Sequence, residues 1–466
     1  MISFSHARYV HIRLPEDVQR LELMGLFDAA KNKIKYLLKH ELSDSMKKRL
    51  EYELERIERL LKDYNVPEEE AMKILKKEFP NLPLEKVKEW ESKGYLDFIL
   101  VNGKKYYYRR FVSNLLFLCK DDEVCLSKKK ELESREDTRK SREALKSHVL
   151  EIINSGREGY IFPRKVRVRL KVSLKPGAVP AGELVRCWLP FPRVGDQQTD
   201  VKLIAAEPSE YVTAPQDHPQ RTIYFEQKMP ENKPLEFMVE FEYTIHAFYR
   251  RIDPSKVELY DENSEIYRRY TKEEPPHIIF TRYLKELAYS IVGDEENPYL
   301  KARKIYDWLT RNLTYTYVPE YCTFESIPEF VARNLRGDCG FQALLFITLC
   351  RIVGVPARWQ SGWYANPTQK GPGPHDWAQF YIEPYGWLYA DISFGRRWRE
   401  LDKRLHEFYF GNIDNFRTVF NIDIMSQFEP PKKYIRSDPV DNQRGELEWE
   451  GGNIYFDKFE TQMIYI

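Results

Sequence analysis

The chain has 466 residues, with 73 Lys+Arg against 72 Asp+Glu and a net charge of +1. That length exceeds the about 250–300 residues at which single cores stop growing, so two or more domains are expected. Near-zero net charge argues against a wholesale electrostatic binder of nucleic acid or membrane, and 42% hydrophobic with 31% charged residues excludes a disordered chain.

In chain order, Met1 to Arg8 lacks the basic-then-apolar pattern of a cleaved leader. No apolar run approaches the ~18–20 residues of a bilayer span. Both features predict a cytoplasmic protein with no membrane partner. Six Cys, none in CxxC spacing, are too few for a disulfide framework and predict a reduced compartment. Residues 1–160 read as a helical region. From Pro15 to Tyr64 breakers are scarce, and Leu50, Leu54, Ile57, Leu60 and Leu61 recur at helical spacing. A further helix fits Leu84 to Ser92, and Asn102-Gly103 between Tyr95–Val101 and Lys104–Arg109 predicts a hairpin. Lys120 to Lys146 is charge-dense and reads as an exposed helix or linker. Helices followed by a basic hairpin resemble a winged helix. The region's 33 Lys+Arg against 29 Asp+Glu leave a surplus of only 4, so no nucleic-acid partner is expected.

Residues 164–250 read as a β-sandwich. Val166, Val168, Leu170, Val172 and Leu174 alternate with polar residues, and so do Leu235, Phe237, Val239, Phe241, Tyr243 and Ile245. Shorter strands fit Leu184–Leu189 and Thr222–Glu226. Residues 263–399 carry the chemistry, and residues 400–466 read as a β-rich extension.

Gly337-Asp338 makes a turn into an apolar stretch, Phe341 to Val353, that Gly354 and Pro356 end. Cys339 therefore opens a buried helix, where free N–H groups and the dipole are expected to lower its pKa. A base is available in His375, which follows a stiff Gly-Pro loop and starts a strand to Ile382. A turn at Glu383–Gly386 leads into Trp387–Asp391. On the two-residue period His375, Trp377 and Tyr381 share a face, as do Trp387, Tyr389 and Asp391, whereas Asp376 points to the other. Nucleophile, base and orienting carboxylate thus follow in the order Cys339, His375, Asp391.

These residues resemble the transglutaminase-like superfamily of papain-like folds, bacterial multidomain type. The resemblance rests on Gly337-Asp338-Cys339-Gly340, Ala343, Gly354-Val355-Pro356-Ala357-Arg358, Gly362, His375-x-Trp377, Gly386-Trp387 and Asp391. It implies an α+β fold and a Cys339–His375–Asp391 triad that attacks peptide-type amides through a thioester. Trp188-Leu189-Pro190-Phe191-Pro192 looks like the sandwich preceding this core, and Phe410-Gly411-Asn412 and Phe416-Arg417 look like its C-terminal extension. Tyr315 and Tyr317 are the candidate second oxyanion donors, and Trp359, Trp363, Tyr364 and Trp377 the candidate cleft walls. No calcium-loop, HExxH, phosphate-loop or CxxC spacing is present, so neither cofactor nor metal is expected. Trp363 to Pro374 is short for a lid and stiffened by Pro367, Pro372 and Pro374. Hydrolysis of a protein or peptide substrate is therefore the expected outcome, with acyl transfer to an amine, or an idle binding module, as alternatives.

Overall fold

The structure is a computed structural model that describes residues 9–80 and 82–466. The leader expectation falls on residues 1–8 and lies outside the described residues. The long helical stretch resolves into three helices, Glu16–Leu23, Phe27–Leu37 and Asp44–Asp63. Gly25 breaks the first two apart. Its φ is +71°, and a Cβ there would sit 2.3 Å from the Leu100 carbonyl oxygen, so only glycine fits. The expected hairpin forms between Phe98–Val101 and Lys104–Tyr107. Asn102 (φ 49°) and Gly103 (φ 82°) both take the positive φ of a type I′ turn. The charge-dense stretch forms two helices, Glu123–Glu133 and Glu136–Asn154. The second is not a linker. Leu145, Val149 and Ile152, at helical spacing, pack with Phe394, Trp398 and Leu405.

Both alternating runs form the expected strands. One sheet runs, in order, Phe459–Tyr465, Gly159–Leu174, Leu235–Tyr249, Gln198–Glu207. Its inward Val168, Leu170, Val172, Phe237, Val239 and Phe241 share one core with Val185, Leu189, Ile223 and Phe225 of the facing sheet. The polar face is paired across strands: Arg167 and Arg169 both reach Glu240, the latter at 2.7 Å.

The C-terminal stretch is β-rich, yet it is no separate unit. Glu446–Trp449 pairs with Leu184–Pro190 and Phe459–Tyr465 with Gly159–Leu174, while Arg417–Asn421 pairs with Ala357–Tyr364. Each of these strands covers what would otherwise be an open sheet edge.

The catalytic-type core is a helix on a sheet. Helix Cys339–Ile352 is capped by Asp338, whose side chain accepts from Phe341 N–H. Every residue from Gly340 to Arg351 is buried, as its all-round apolar sequence requires. Gly340 is obligatory for packing: a Cβ would lie 2.1 Å from Tyr321 Oη and 2.8 Å from Asp376 Oδ2. The sheet beneath has the order Phe410–Gly411, Gly386–Ala390, Gly373–Ile382, Ala357–Tyr364, Arg417–Asn421. Phe346 of the helix meets Phe380 of the central strand edge to face.

Candidate functional site

The central strand, Gly373–Ile382, divides the site by its pleat. Its register pairs Gly362 with His375 and Ser361 with Asp376, and Gln379 with Tyr389 on the neighbouring strand. His375, Trp377 and Asp391 therefore share one face, and Asp376 lies on the other.

On the first face His375 Nε2 and Asp391 Oδ2 are 2.7 Å apart. Asp391 caps the helix Ile392–Trp398, accepting from Phe394 N–H and Ser393 Oγ through its other oxygen, both at 3.0 Å. Arg417 completes the arrangement. Its Nη1 donates to Asp391 at 2.7 Å and its Nη2 to Asp414 at 2.8 Å. Burial alone would raise the Asp391 pKa, but His375 and Arg417 hold it well below the usual carboxylate range. Among the described residues, no hydrogen bond engages His375 Nδ1.

Cys339 lies on the second face. Its Sγ donates to Asp376 Oδ2 at 3.2 Å, and it has no hydrogen bond to His375 among the described residues. Asp376 is held in turn by Gln443 Nε2 at 2.5 Å, and Tyr321 Oη donates to Asp338 at 2.8 Å. Asp438 and Asp441 crowd the same side, and Ser361 Oγ donates to Asp441. Burial, then Asp441 and Asp338, push Asp376 well above the carboxylate range. Burial likewise raises Asp338 and Asp441 to about 6 and Asp438 to about 7.

The structure thus brings His375 and Asp391 together as expected but places Cys339 against Asp376. The lowered thiol pKa expected from the helix start is not found. Burial, then the Asp376 and Asp338 carboxylates, push the Cys339 thiol well above its ordinary value. Burial and then the neighbouring carboxylates outweigh the helix dipole.

A cavity of about 270 Å³ opens onto Cys339. Tyr315 and Tyr317, the oxyanion candidates, both line it, and Arg110 sits 3.5 Å over the Tyr317 ring. The three tryptophans do not line it. Trp359, Trp363 and Trp377 are fully buried and bond inward, to Ser361, Gln443 and Gln360 respectively. Both faces of their sheet are covered, so period-2 aromatics become core rather than wall. The walls instead include Tyr108 and Arg110 from the N-terminal region and Gln443 and Arg444 from the tail. Sequence reasoning missed these, and also Tyr321 and the role of Arg417. Arg417 lay within the Phe416-Arg417 pair already singled out, whereas nothing local marked Gln443.

The reduced-thiol expectation is also corrected, because Cys119 and Cys125 form a disulfide. With Asp122 they bring three potential ligand atoms together, but the two sulfurs are bonded to each other. Among the described residues, no helix is long and apolar enough to cross a membrane.

A helix-borne thiol above an antiparallel sheet, with His375 on the central strand and Asp391 just past the end of its neighbour, is the arrangement of an α+β thiol-enzyme class. A profile of the transglutaminase-like superfamily matches residues 285–392, and the chain carries a transglutaminase-like domain. An uncharacterized protein of Haemophilus influenzae is 24% identical over 273 residues, spanning 50% of this chain and 73% of its own length. The uncharacterized protein YebA of Bacillus subtilis is 25% identical over 123 residues, 22% of this chain and 16% of its own. Among solved structures, a protein of Cytophaga hutchinsonii provisionally named a cysteine protease superposes with a TM-score of 0.44 at 16% identity, covering 66% of this chain and 92% of that one. The periplasmic domain of TgpA from Pseudomonas aeruginosa gives a TM-score of 0.28 at 13% identity, over 52% and 92%.

Proposed function

We propose that the protein is a thiol hydrolase of peptide-type amides, in which Cys339 attacks the carbonyl and His375, oriented by Asp391, carries the proton. The observation supporting this reading is the His375–Asp391 hydrogen bond of 2.7 Å, clamped by Arg417 with Nδ1 left unengaged. A base held in one tautomer with its other nitrogen unengaged is what a nucleophilic thiol needs. In this mechanism the Cys339 side chain turns from Asp376 to His375 Nδ1, gives up its proton, and forms a tetrahedral adduct. The Cys339 backbone N–H, with Tyr315 or Tyr317, faces the developing oxyanion. His375 returns the proton to the leaving amine, and water then resolves the thioester.

A second reading has a specific observation behind it. The 3.2 Å contact makes Asp376 the acceptor already in place for the thiol. Burial and the neighbouring Asp441 and Asp338 raise its pKa, which favours its holding a proton taken from the thiol.

Incubation with a peptide library, and in parallel with a Gln-containing protein and a labelled primary amine, tests the reaction. New peptide termini that vanish in Cys339→Ala are expected. Amine incorporation dependent on Cys339, without new termini, would replace hydrolysis by acyl transfer. Neither product would leave the idle binding module.

A further inference from the structure

A cavity of about 550 Å³ lies apart from the Cys339 cavity. It lies between the sandwich strands and the sheet face that carries His375, away from the thiol. Its volume falls within the roughly 300–1,000 Å³ typical of small-molecule sites. Three arginines line it: Arg193, Arg250 and Arg358. No carboxylate lies within ion-pair distance of any of them among the described residues. The buried Asp423, whose charge attracts Arg193 and Arg358, is paired with Arg269 at 2.6 Å, and Asp196 stands exposed among the lining residues. Arg193 spends its donors on the His218 and Asp217 carbonyls, and Arg250 gives one to the Tyr385 carbonyl. Burial, then the like charge of Arg358, draw the Arg193 pKa downward. Three half-buried guanidinium groups thus crowd one cavity, and Asp423, which attracts Arg193 and Arg358, is itself paired with Arg269, so an anion would relieve their mutual repulsion.

A second observation is independent of charge. Gln197 lines the same cavity and is 5% exposed, yet neither its amide oxygen nor its amide nitrogen has a hydrogen-bond partner among the described residues. A buried amide left open on both sides is rare in a finished core and marks a place where a ligand or water completes the set. The remaining wall is aromatic. Arg358 stacks 3.9 Å over the Trp387 ring, and Tyr160, Phe248 and Tyr389 continue the surface.

We propose that this cavity binds a small organic anion, a carboxylate or phosphate attached to a planar ring, with the anion on Arg358 and Arg250, the polar edge on Gln197 and the ring against Trp387. Guanidinium forks suit carboxylate and phosphate oxygens, and the aromatic wall suits a planar body. The site stands whichever reaction Cys339 performs.

Calorimetric titration of the full chain with phenyl phosphate at fixed ionic strength tests it, with inorganic phosphate in a parallel arm. Saturable one-site binding is expected, about tenfold tighter for phenyl phosphate than for inorganic phosphate. Arg358→Gln should weaken it at least tenfold, Arg250→Gln several-fold and Gln197→Leu about threefold, at unchanged unfolding temperature. If Arg358→Gln fails to fold, Arg250→Gln decides. No saturable heat from either ligand, or binding indifferent to Arg250→Gln, overturns the proposal. Equal affinity for the two ligands overturns its aromatic half.

Discussion

The two faces of the strand Gly373–Ile382 hold buried carboxylates in opposite electrostatic states. On the His375 face, Asp391 and Asp414 share the Arg417 guanidinium and are held ionised below their ordinary range. On the Cys339 face, Asp338, Asp376, Asp438 and Asp441 crowd together and rise above it. On the first face His375 and Arg417 outweigh burial for Asp391, whereas on the second Arg436 and Arg444 do not outweigh burial for Asp441. The compensated face is charged, whereas on the crowded face burial and neighbouring acids disfavour ionisation of the carboxylates and of the thiol alike. The thiol and the His–Asp pair thus stand on opposite sides of one pleat, and the proposed mechanism requires the thiol to leave the crowded side.

The sharpest break of this comparison is turnover in His375→Ala against Asp376→Asn. The first should cost on the order of 10⁴ or more in kcat, and Asp391→Asn about as much. The second should cost less than about tenfold. A reversed ranking hands the proton to Asp376 and makes the His375 face structural.

Next in size is Arg417→Gln, which strips both carboxylates on the compensated face of their cation. Breaking one partner out of a buried pair costs about 3–5 kcal/mol, so a large drop in the denaturant midpoint is expected. The parallel change on the crowded face, Asp438→Asn, should not destabilise at all at neutral pH. Equal losses would show that the two faces do not differ in compensation.

The two faces should also respond to pH with opposite sign. Asp338, Asp441 and Asp438 have folded values of about 6, 6 and 7, above the unfolded reference of about 3.9. Their contribution is full below about pH 4 and is lost as pH rises through about 6 to 7. Asp391 and Asp414 are lowered, so theirs is present above about pH 4 and lost on acidification. Asp438→Asn should therefore raise the unfolding temperature at pH 8 and leave it nearly unchanged at pH 4. A shift of the same size at both values would remove the titrating cluster from the account.

The smallest effect is chemical. Cys187, Cys322 and Cys350 are buried and free, and Cys339 alone of the free thiols keeps solvent contact. Mass-spectrometric mapping after brief iodoacetamide treatment should find Cys339 labelled first, with a severalfold faster rate in Asp376→Asn. Faster labelling of Cys322 would mean that the cavity does not open onto Cys339.

Much of this was legible residue by residue. Period 2 over Val166–Leu174 and Leu235–Ile245, the Asn102-Gly103 turn and the apolar run after Cys339 each specify local structure, and His375 with Asp391 followed from the same alternation. What failed was non-local. Nothing in Phe459–Tyr465 announces that it lies beside Gly159–Leu174, and nothing in Gln443 announces a bond to Asp376. Alternation separated Asp376 from His375 correctly, but which face the Cys339 helix would cover depends on a crossover that sequence period does not encode. Trp359 and Trp363 misled because an aromatic strand reads alike whether one or both of its faces are covered.

The walls of the Cys339 cavity also set a timetable for synthesis. Tyr108 and Arg110 are made long before the thiol, but Gln443 and Arg444 come last, with Arg444 105 residues beyond Cys339 (444 − 339). At about 5–20 residues per second the ribosome needs about 5–20 s to cover that interval. Throughout it the emerging chain carries the thiol and, from residue 391 onward, the His–Asp pair. It has neither Gln443, which holds Asp376 in place, nor the tail side of the substrate cavity. On the proposed function the chain is therefore made in an unarmed form, and competence arrives only once Gln443 and Arg444 dock against the cavity.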